Sequence, residues 1–533
     1  MIRKTLVVPV LIGLLAPALA ACGGDDGSGG GGDAIRVGTT DTLAASKDNP
    51  APVDPATAYD INSWNILQNT FQLLMRVPRT GNEPQPDAAK DCRFTDRHNE
   101  SYRCDLRPGL KFSNGHALTA QDVEFSIKRM LRIHDDNGPY TLLTNIDTVE
   151  AKDDTTVVFH LKTADATFPY KLATPAAAIV DQEVYPAKGL HKGLDIVGSG
   201  PYTVKFEAAD GNVSKAVYSK NSNYEGPLKI GNDKVEVQIF TSSVKMEKAL
   251  TDGKIDLTNR LFTPAQVQRL ESKPKEGIKL TENNGAEIRY LAFNTNDPSV
   301  RSKAVRRAIA QVVDREAIAR NVYKRTADPL YSMVPQGFGG HNTAFYDVYG
   351  EPSAEKARTI LKNGGVTTPV RLTLNYTTDH YGAVTKDEFK ELQKQLNATG
   401  LFQATIKGTT WDKFKNAYNG GKYGIFGMGW FPDFPDPDNY LAPFIGKDNF
   451  LHSPYRNPAI EALIPLTRQQ AERARTNKDF EKAQDLIAED APIIPLWQGK
   501  QYVTSRDTIT GSEWALNSSS TLQLWELHRG LGE

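Results

Sequence analysis

Apolar residues recur along this chain at two spacings. Strict alternation marks Lys234-Val-Glu-Val-Gln-Ile-Phe240 and the stretch from Val370 to Tyr376, which predicts strands with one wet face. Shorter strand-like runs lie at Ile35-Arg-Val-Gly-Thr-Thr40, Thr155 to Leu161, Arg289 to Asn294 and Ile493 to Trp497. Helical spacing places Trp64, Ile66, Leu67, Phe71 and Leu74 on a helix over 62–74. It also predicts helices over 302–313, 314–323, 354–361, 386–396, 458–467 and 479–488. Thr119-Ala-Gln-Asp122 is a capping box, and Val123, Ile127 and Met130 lie on one face of the helix it opens. Alternation from Leu106 ends in an Asn114-Gly115 turn. Strands thus alternate with helices throughout, the signature of an α/β protein.

Length and composition add bounds. A chain of 533 residues exceeds what one core supports, so two or more domains are expected. The 63 basic residues balance 64 acidic ones, with no basic stripe, which argues against a nucleic-acid partner. Arg3 and Lys4, the apolar run from Thr5 to Ala18 and Leu19-Ala-Ala-Cys22 read as a signal peptide over 1–21. The tetrad resembles a bacterial lipobox, which would make Cys22 the lipidated first residue of the mature chain. The glycine-rich segment from Gly23 to Asp33 then completes a flexible tether over 22–33. The expected location is the outer face of the cell membrane. Beyond this segment no apolar run approaches the roughly 20 residues of a membrane span. Cys92 and Cys104 remain as an even pair in an exported chain and predict a disulfide across a hairpin turning near Asp96 to Glu100. A metal site would need more ligands than this pair offers nearby.

Candidate chemistry gathers at Trp430-Phe-Pro-Asp-Phe-Pro-Asp-Pro-Asp-Asn-Tyr440, after the apolar, glycine-punctuated run Tyr423 to Gly429. Its three prolines restrict themselves and the residues before them, so three carboxylates and four aromatic rings sit on a stiff loop. Two readings are open for these residues alone: a holder for a cationic, partly apolar ligand, or a proline-rich connection with solvated acids. There is no P-loop, no Gly-x-Ser-x-Gly elbow and no zinc-type cysteine cluster. Val197-Gly-Ser-Gly-Pro-Tyr202 lacks the lysine of a phosphate cradle and is expected to be a structural turn. Asp433, Asp436 and Asp438 lack the glycine and distal glutamate of a calcium loop. No catalytic residue, metal ligand or cofactor is assigned.

The order and spacing of several segments resemble the family 5 extracellular solute-binding proteins, the peptide-binding lipoproteins of ABC importers. The segments are Tyr102 to Arg129, Val197 to Tyr202, Gly253-Lys-Ile-Asp256, Phe293-Asn294 with Val305-Arg306 and Asp314-Arg315, and Trp430 to Tyr440. The resemblance implies a two-lobed periplasmic-binding-protein-like fold with an extra subdomain in lobe I. Lobe I would comprise 34–81, the extra subdomain at 82–196, then 197–287 and a C-terminal return over 502–533. Lobe II would span 288–501. In peptide-binding members a Trp-x-x-Asp pattern puts an aspartate on the peptide's α-ammonium, which implies that role for Asp433. Trp430 would cover the ligand, Tyr440 would either line the site or belong to the core, and Asp436 and Asp438 would cap or orient the loop.

The reading is therefore a monomeric, lipid-anchored component of an ABC importer, not an enzyme, that captures peptides between closing lobes and hands them to permease subunits. Rival expectations are an oligosaccharide or other polar-solute binder, a surface hydrolase using the acid cluster, and a ligand-sensing lipoprotein.

Overall fold

The computed structural model describes residues 34–530 apart from 80, 260–261 and 446–448. The signal peptide, the tether and Cys22 lie outside the described residues. Among those described, the strands form three main sheets, of seven, six and four strands.

The seven-stranded sheet is centred on Ile35–Thr39. This strand runs parallel to Lys234–Ile239 on one side and to Leu257–Asn259 on the other. Outside them lie the hairpin Tyr202–Ala209/Asn212–Lys220 and the pair Ile278–Asn283/Gln501–Arg506. The alternation at Lys234 to Phe240 gives the strand expected of it. The hairpin was not expected, although its turn, Asp210-Gly211, has positive φ at both residues, as a tight hairpin requires.

The six-stranded sheet is the most deeply buried. Ile288–Phe293, Ile425–Trp430 and Ile493–Gly499 are buried at every position, as strands covered on both faces must be. Ile288–Phe293 pairs antiparallel with both of the others, and Ile425–Trp430 continues parallel to Val370–Thr377. Phe402–Thr409 forms the unexpected edge strand.

The chain passes from the first sheet to the second through residues 284–287 and returns at Lys500, the single residue between Ile493–Gly499 and Gln501–Arg506. Gly285 must be glycine there, since a Cβ would sit 1.9 Å from the Gly499 carbonyl oxygen. The Lys500 ammonium lies 3.1 Å from Glu282 of the first sheet and 3.9 Å from Asp328 of the second.

The four-stranded sheet runs Ala89–Phe94, Ser101–Leu106, Thr156–Leu161, Ile146–Ala151 in spatial order, and the capping box at Thr119 opens the helix Ala120–Ile133 that packs on it. Cys92 faces Cys104 across the first hairpin, and the two are bonded, as expected. Asp96 closes that hairpin by accepting from the backbone N–H groups of His98 and Glu100. Arg129, fully buried on the helix, makes a bidentate bond to Asp54, with N–O distances of 2.8 and 2.6 Å.

The first helix is Ile61–Thr70 and stops short of the expected Leu74. Two contacts end it. Gly200 donates its N–H to the Thr70 carbonyl at 2.9 Å, and a Cβ at Gly198 would lie 2.1 Å from that same oxygen. Leu73 and Leu74 then accept from Ala88 and Asp87. The glycine turn at 197–202 is thus a close-packing device against the helix end.

Candidate functional site

Ile425–Trp430 delivers Trp430 at its end, and the proline-rich loop turns there. Its shape is fixed by Asn439. The Asn439 carboxamide oxygen accepts from the Trp430 indole at 3.0 Å and from the Asp433 backbone N–H at 2.8 Å. The Asn439 amide nitrogen donates back to the Asp433 carboxylate at 2.9 Å. The Trp430 ring is further wedged edge-on between Phe444 and Phe450.

The three aspartates have different partners. Asp436 accepts a bidentate pair from Arg473 at 2.7 and 2.8 Å and caps the Asp438 N–H. Asp438 accepts a bidentate pair from Arg468, both bonds 2.8 Å. Planar guanidinium forks suit such pairing and orient the carboxylates firmly. Among the described residues Asp433 has no such cation. Burial pushes its carboxyl up to about 6, against hydrogen bonds from Asn439 and Tyr59 that pull it down. A buried carboxylate without a fixed cation is poised to take one from a ligand.

Tyr440 is fully buried, donates its hydroxyl to the Ala286 carbonyl at 2.8 Å and packs against Phe338. It therefore braces the loop against residues 284–287. Among the described residues no group of three or more His, Cys, Asp or Glu is placed to hold a metal ion.

The loop is met from the other side by residues far away in sequence. The Tyr59 hydroxyl, just ahead of the helix Ile61–Thr70, hydrogen-bonds the Asp433 carboxylate, and burial followed by the Asp433 charge raises the Tyr59 phenol well above its usual value. Ser519 approaches the Asp433 carbonyl oxygen at 3.5 Å. Beyond Asp433, the Ala166 N–H donates to the Arg468 carbonyl at 2.7 Å, and the Asn99 amide donates to the Gln469 carbonyl at 3.0 Å. Asn439, Tyr59, Arg468 and Arg473 were not singled out from sequence. Asn439 carried a local signal, an asparagine closing an Asp-Pro-Asp turn. The other three are separated from their partners by 30 residues or more.

The sequence profile of the bacterial extracellular solute-binding proteins, family 5 Middle, matches residues 83–451. The chain is 26% identical over 512 residues to di/tripeptide-binding protein 1 of Pseudomonas aeruginosa, covering 89% of this chain and 93% of that protein. It is 22% identical over 522 residues to the oligopeptide-binding protein OppA of Bacillus subtilis, covering 93% and 94%. The solved structure of the periplasmic binding protein DppA of Helicobacter pylori in complex with the peptide STSA superposes with a TM-score of 0.78 at 22% identity, covering 93% of this chain and 98% of that one. The fold is the two-lobed one of periplasmic binding proteins, and the chain belongs to the family 5 bacterial extracellular solute-binding proteins.

Proposed function

We propose that this protein is the peptide-capturing component of an ABC importer, held at the outer face of the cell membrane by a lipid on Cys22. Lobe I comprises 34–287, with its extra subdomain at 82–196, and 502–533; lobe II is 288–501. Residues 284–287 and Lys500 are the crossovers about which the lobes close. Asp433 binds the α-ammonium, Trp430 forms the wall beside it, and Tyr440 holds the loop from behind.

One observation carries the reading: among the described residues Asp433 is the loop aspartate without an arginine, buried and oriented by Asn439 at the meeting point with Tyr59. A charge-assisted bond to an ammonium there contributes about 1.5–3 kcal/mol. The two named relatives bind peptides by their descriptions. Ligand bound to both lobes favours the closed form, which a permease can recognise.

Titration calorimetry with free and N-acetylated tripeptides tests this. Free peptides bind, acetylation weakens them tenfold or more, and Asp433→Ala abolishes that difference. A protein indifferent to acetylation binds some other polar solute. Native mass spectrometry of residues 34–533, purified without refolding, provides an independent check as a ladder of retained peptide masses.

A further inference from the structure

The last carbonyls of an α-helix have no partner within it and must find donors elsewhere. At the end of Pro458–Arg468, the Thr467 carbonyl accepts from the Arg473 guanidinium at 2.5 Å. The next two carbonyls take donors from the far side of the boundary proposed between the lobes. The Ala166 N–H reaches Arg468 at 2.7 Å, and the Asn99 amide reaches Gln469 at 3.0 Å. Beside them the Tyr170 ring packs against Phe434 of the ligand loop, 6.0 Å between centroids.

Both donors are set in place by their own surroundings. Asn99 sits in the turn of the first hairpin with φ of 58°, and the Thr95 N–H closes that turn on the Ser101 carbonyl at 2.9 Å. The Asn99 carbonyl accepts the Asp165 N–H at 3.1 Å, which ties the turn to the segment that carries Ala166. The Asp165 carboxylate is fully buried and accepts from the Thr167 N–H at 3.0 Å, the Thr167 hydroxyl at 2.5 Å and the Lys171 ammonium at 2.6 Å. Burial would raise the Asp165 carboxyl, but Lys171 and then Arg468 hold it below its usual value. Donors fixed in this way lose little freedom when they engage.

On the other side, the helix end is bound to the ligand loop. Arg468 forks onto Asp438 and Arg473 onto Asp436, so holding residues 467–469 also holds the two aspartates that follow Asp433. The gripping bonds run from a side-chain amide and a backbone N–H to backbone carbonyls. Neither Asn99 nor Ala166 is one of the groups that meet Asp433, so the grip does not read the ligand. A contact made only when two lobes meet shifts the open–closed balance by its own free energy, and it scales the affinity for every ligand alike.

We propose that the extra subdomain is a clasp: Asn99 and Ala166 grip the end of the helix Pro458–Arg468 and hold the lobes together, with or without ligand. The proposal rests on the lobe division of the reading above. Two variants test it against the natural chain. Asn99→Gly keeps the positive φ and removes the amide. Asn99→Asp keeps the size and turns a carboxylate, which can only accept, towards the Gln469 carbonyl. Small-angle scattering of the ligand-free proteins reads opening, and calorimetry with Ala-Ala-Ala and its N-acetylated form reads affinity. In both variants the radius of gyration is expected to rise. Both peptides should bind about threefold to tenfold more weakly, as one lost hydrogen bond gives, with the ratio between them unchanged. A radius unchanged in both variants overturns the clasp, whatever the peptides do. Loss of the discrimination against acetylation also overturns it, because Asn99 would then act through Asp433. Failure of every free peptide to bind the natural chain overturns the peptide reading instead, and the scattering still decides the clasp.

Discussion

Asn439 and Asp433 grip each other from both ends. The Asn439 oxygen accepts the Asp433 backbone N–H at 2.8 Å while the Asn439 nitrogen donates to the Asp433 carboxylate at 2.9 Å. Asn439→Ala removes both bonds and also leaves the Trp430 indole N–H buried without its acceptor. At about 1–3 kcal/mol per unmatched buried group, the expected loss is roughly 2–4 kcal/mol in denaturant unfolding, with peptide affinity down tenfold or more. Unchanged affinity would show that the loop holds its shape without this asparagine.

Affinity should depend on pH through Asp433. With its carboxyl raised to about 6 by burial, the ligand-free protein prefers the neutral acid. Stability from this group is fully present below the unfolded value near 4 and is lost as pH rises through about 6. An α-ammonium prefers the carboxylate, so the sign reverses for binding. Affinity is full above about pH 6 and falls towards tenfold per unit below it. Calorimetry at about pH 5 and about pH 7.5 should show a free tripeptide weakened about tenfold at the lower pH. An N-acetylated one should be unchanged.

Arg468 joins two contacts: its guanidinium clamps Asp438, and its carbonyl accepts from Ala166 beside the four-stranded sheet. Arg468→Ala leaves Asp438, which is 2% exposed, without its cation. The expected cost is roughly 2–3 kcal/mol, with peptide affinity reduced as the loop loses its anchor. Arg468→Lys should recover only part, because an ammonium lacks the two-pronged fork. Full recovery would mean that charge alone matters here.

Arg129 and Asp54 form a buried pair that joins the helix Ala120–Ile133 to the segment before Tyr59. Arg129→Met strands a carboxylate that also accepts the backbone N–H groups of Ala56 and His191. Such a break costs about 3–5 kcal/mol. Unfolding should register it, and Asp54→Asn added to it should restore part of the loss.

The Cys92–Cys104 bond closes a short loop, with a sequence separation of 12. Loop-closure entropy gives it about 3 kcal/mol. Replacing both cysteines with serine should lower the denaturant midpoint without changing peptide affinity, since neither cysteine belongs to the loop at Trp430.

Much of the fold was legible because its signals are local. The capping box at Thr119 and the alternation at Lys234 each place an element within a few residues. Where the reading failed, the deciding contact was remote. The first helix ends at Thr70 because Gly198 and Gly200 press on its last carbonyl from more than a hundred residues away. The hairpin at Asp210-Gly211 is an exception: its first strand alternates Tyr202, Val204, Phe206 and Ala208 with Thr203, Lys205 and Glu207, so its signal is local too and went unread. The site divides the same way. The loop's stiffness and its three acids can be read directly, but not which acid lacks a cation. That depends on Arg468 and Arg473, which only the folded chain brings to Asp438 and Asp436.

Lys500 stands alone between a strand of one sheet and a strand of the other, its ammonium facing an acid on each. If the lobes close about this joint as proposed, a connection this short has little slack, so the sheets would turn as plates and a small rotation at the joint would become a long sweep at the rim. Optical reporters fixed on opposite rims would therefore register ligand capture as a change in separation. The aspartate proposed to meet the ligand, Asp433, lies elsewhere, so its chemistry could be rebuilt for a different solute while the stroke, and the signal read from it, would stay the same.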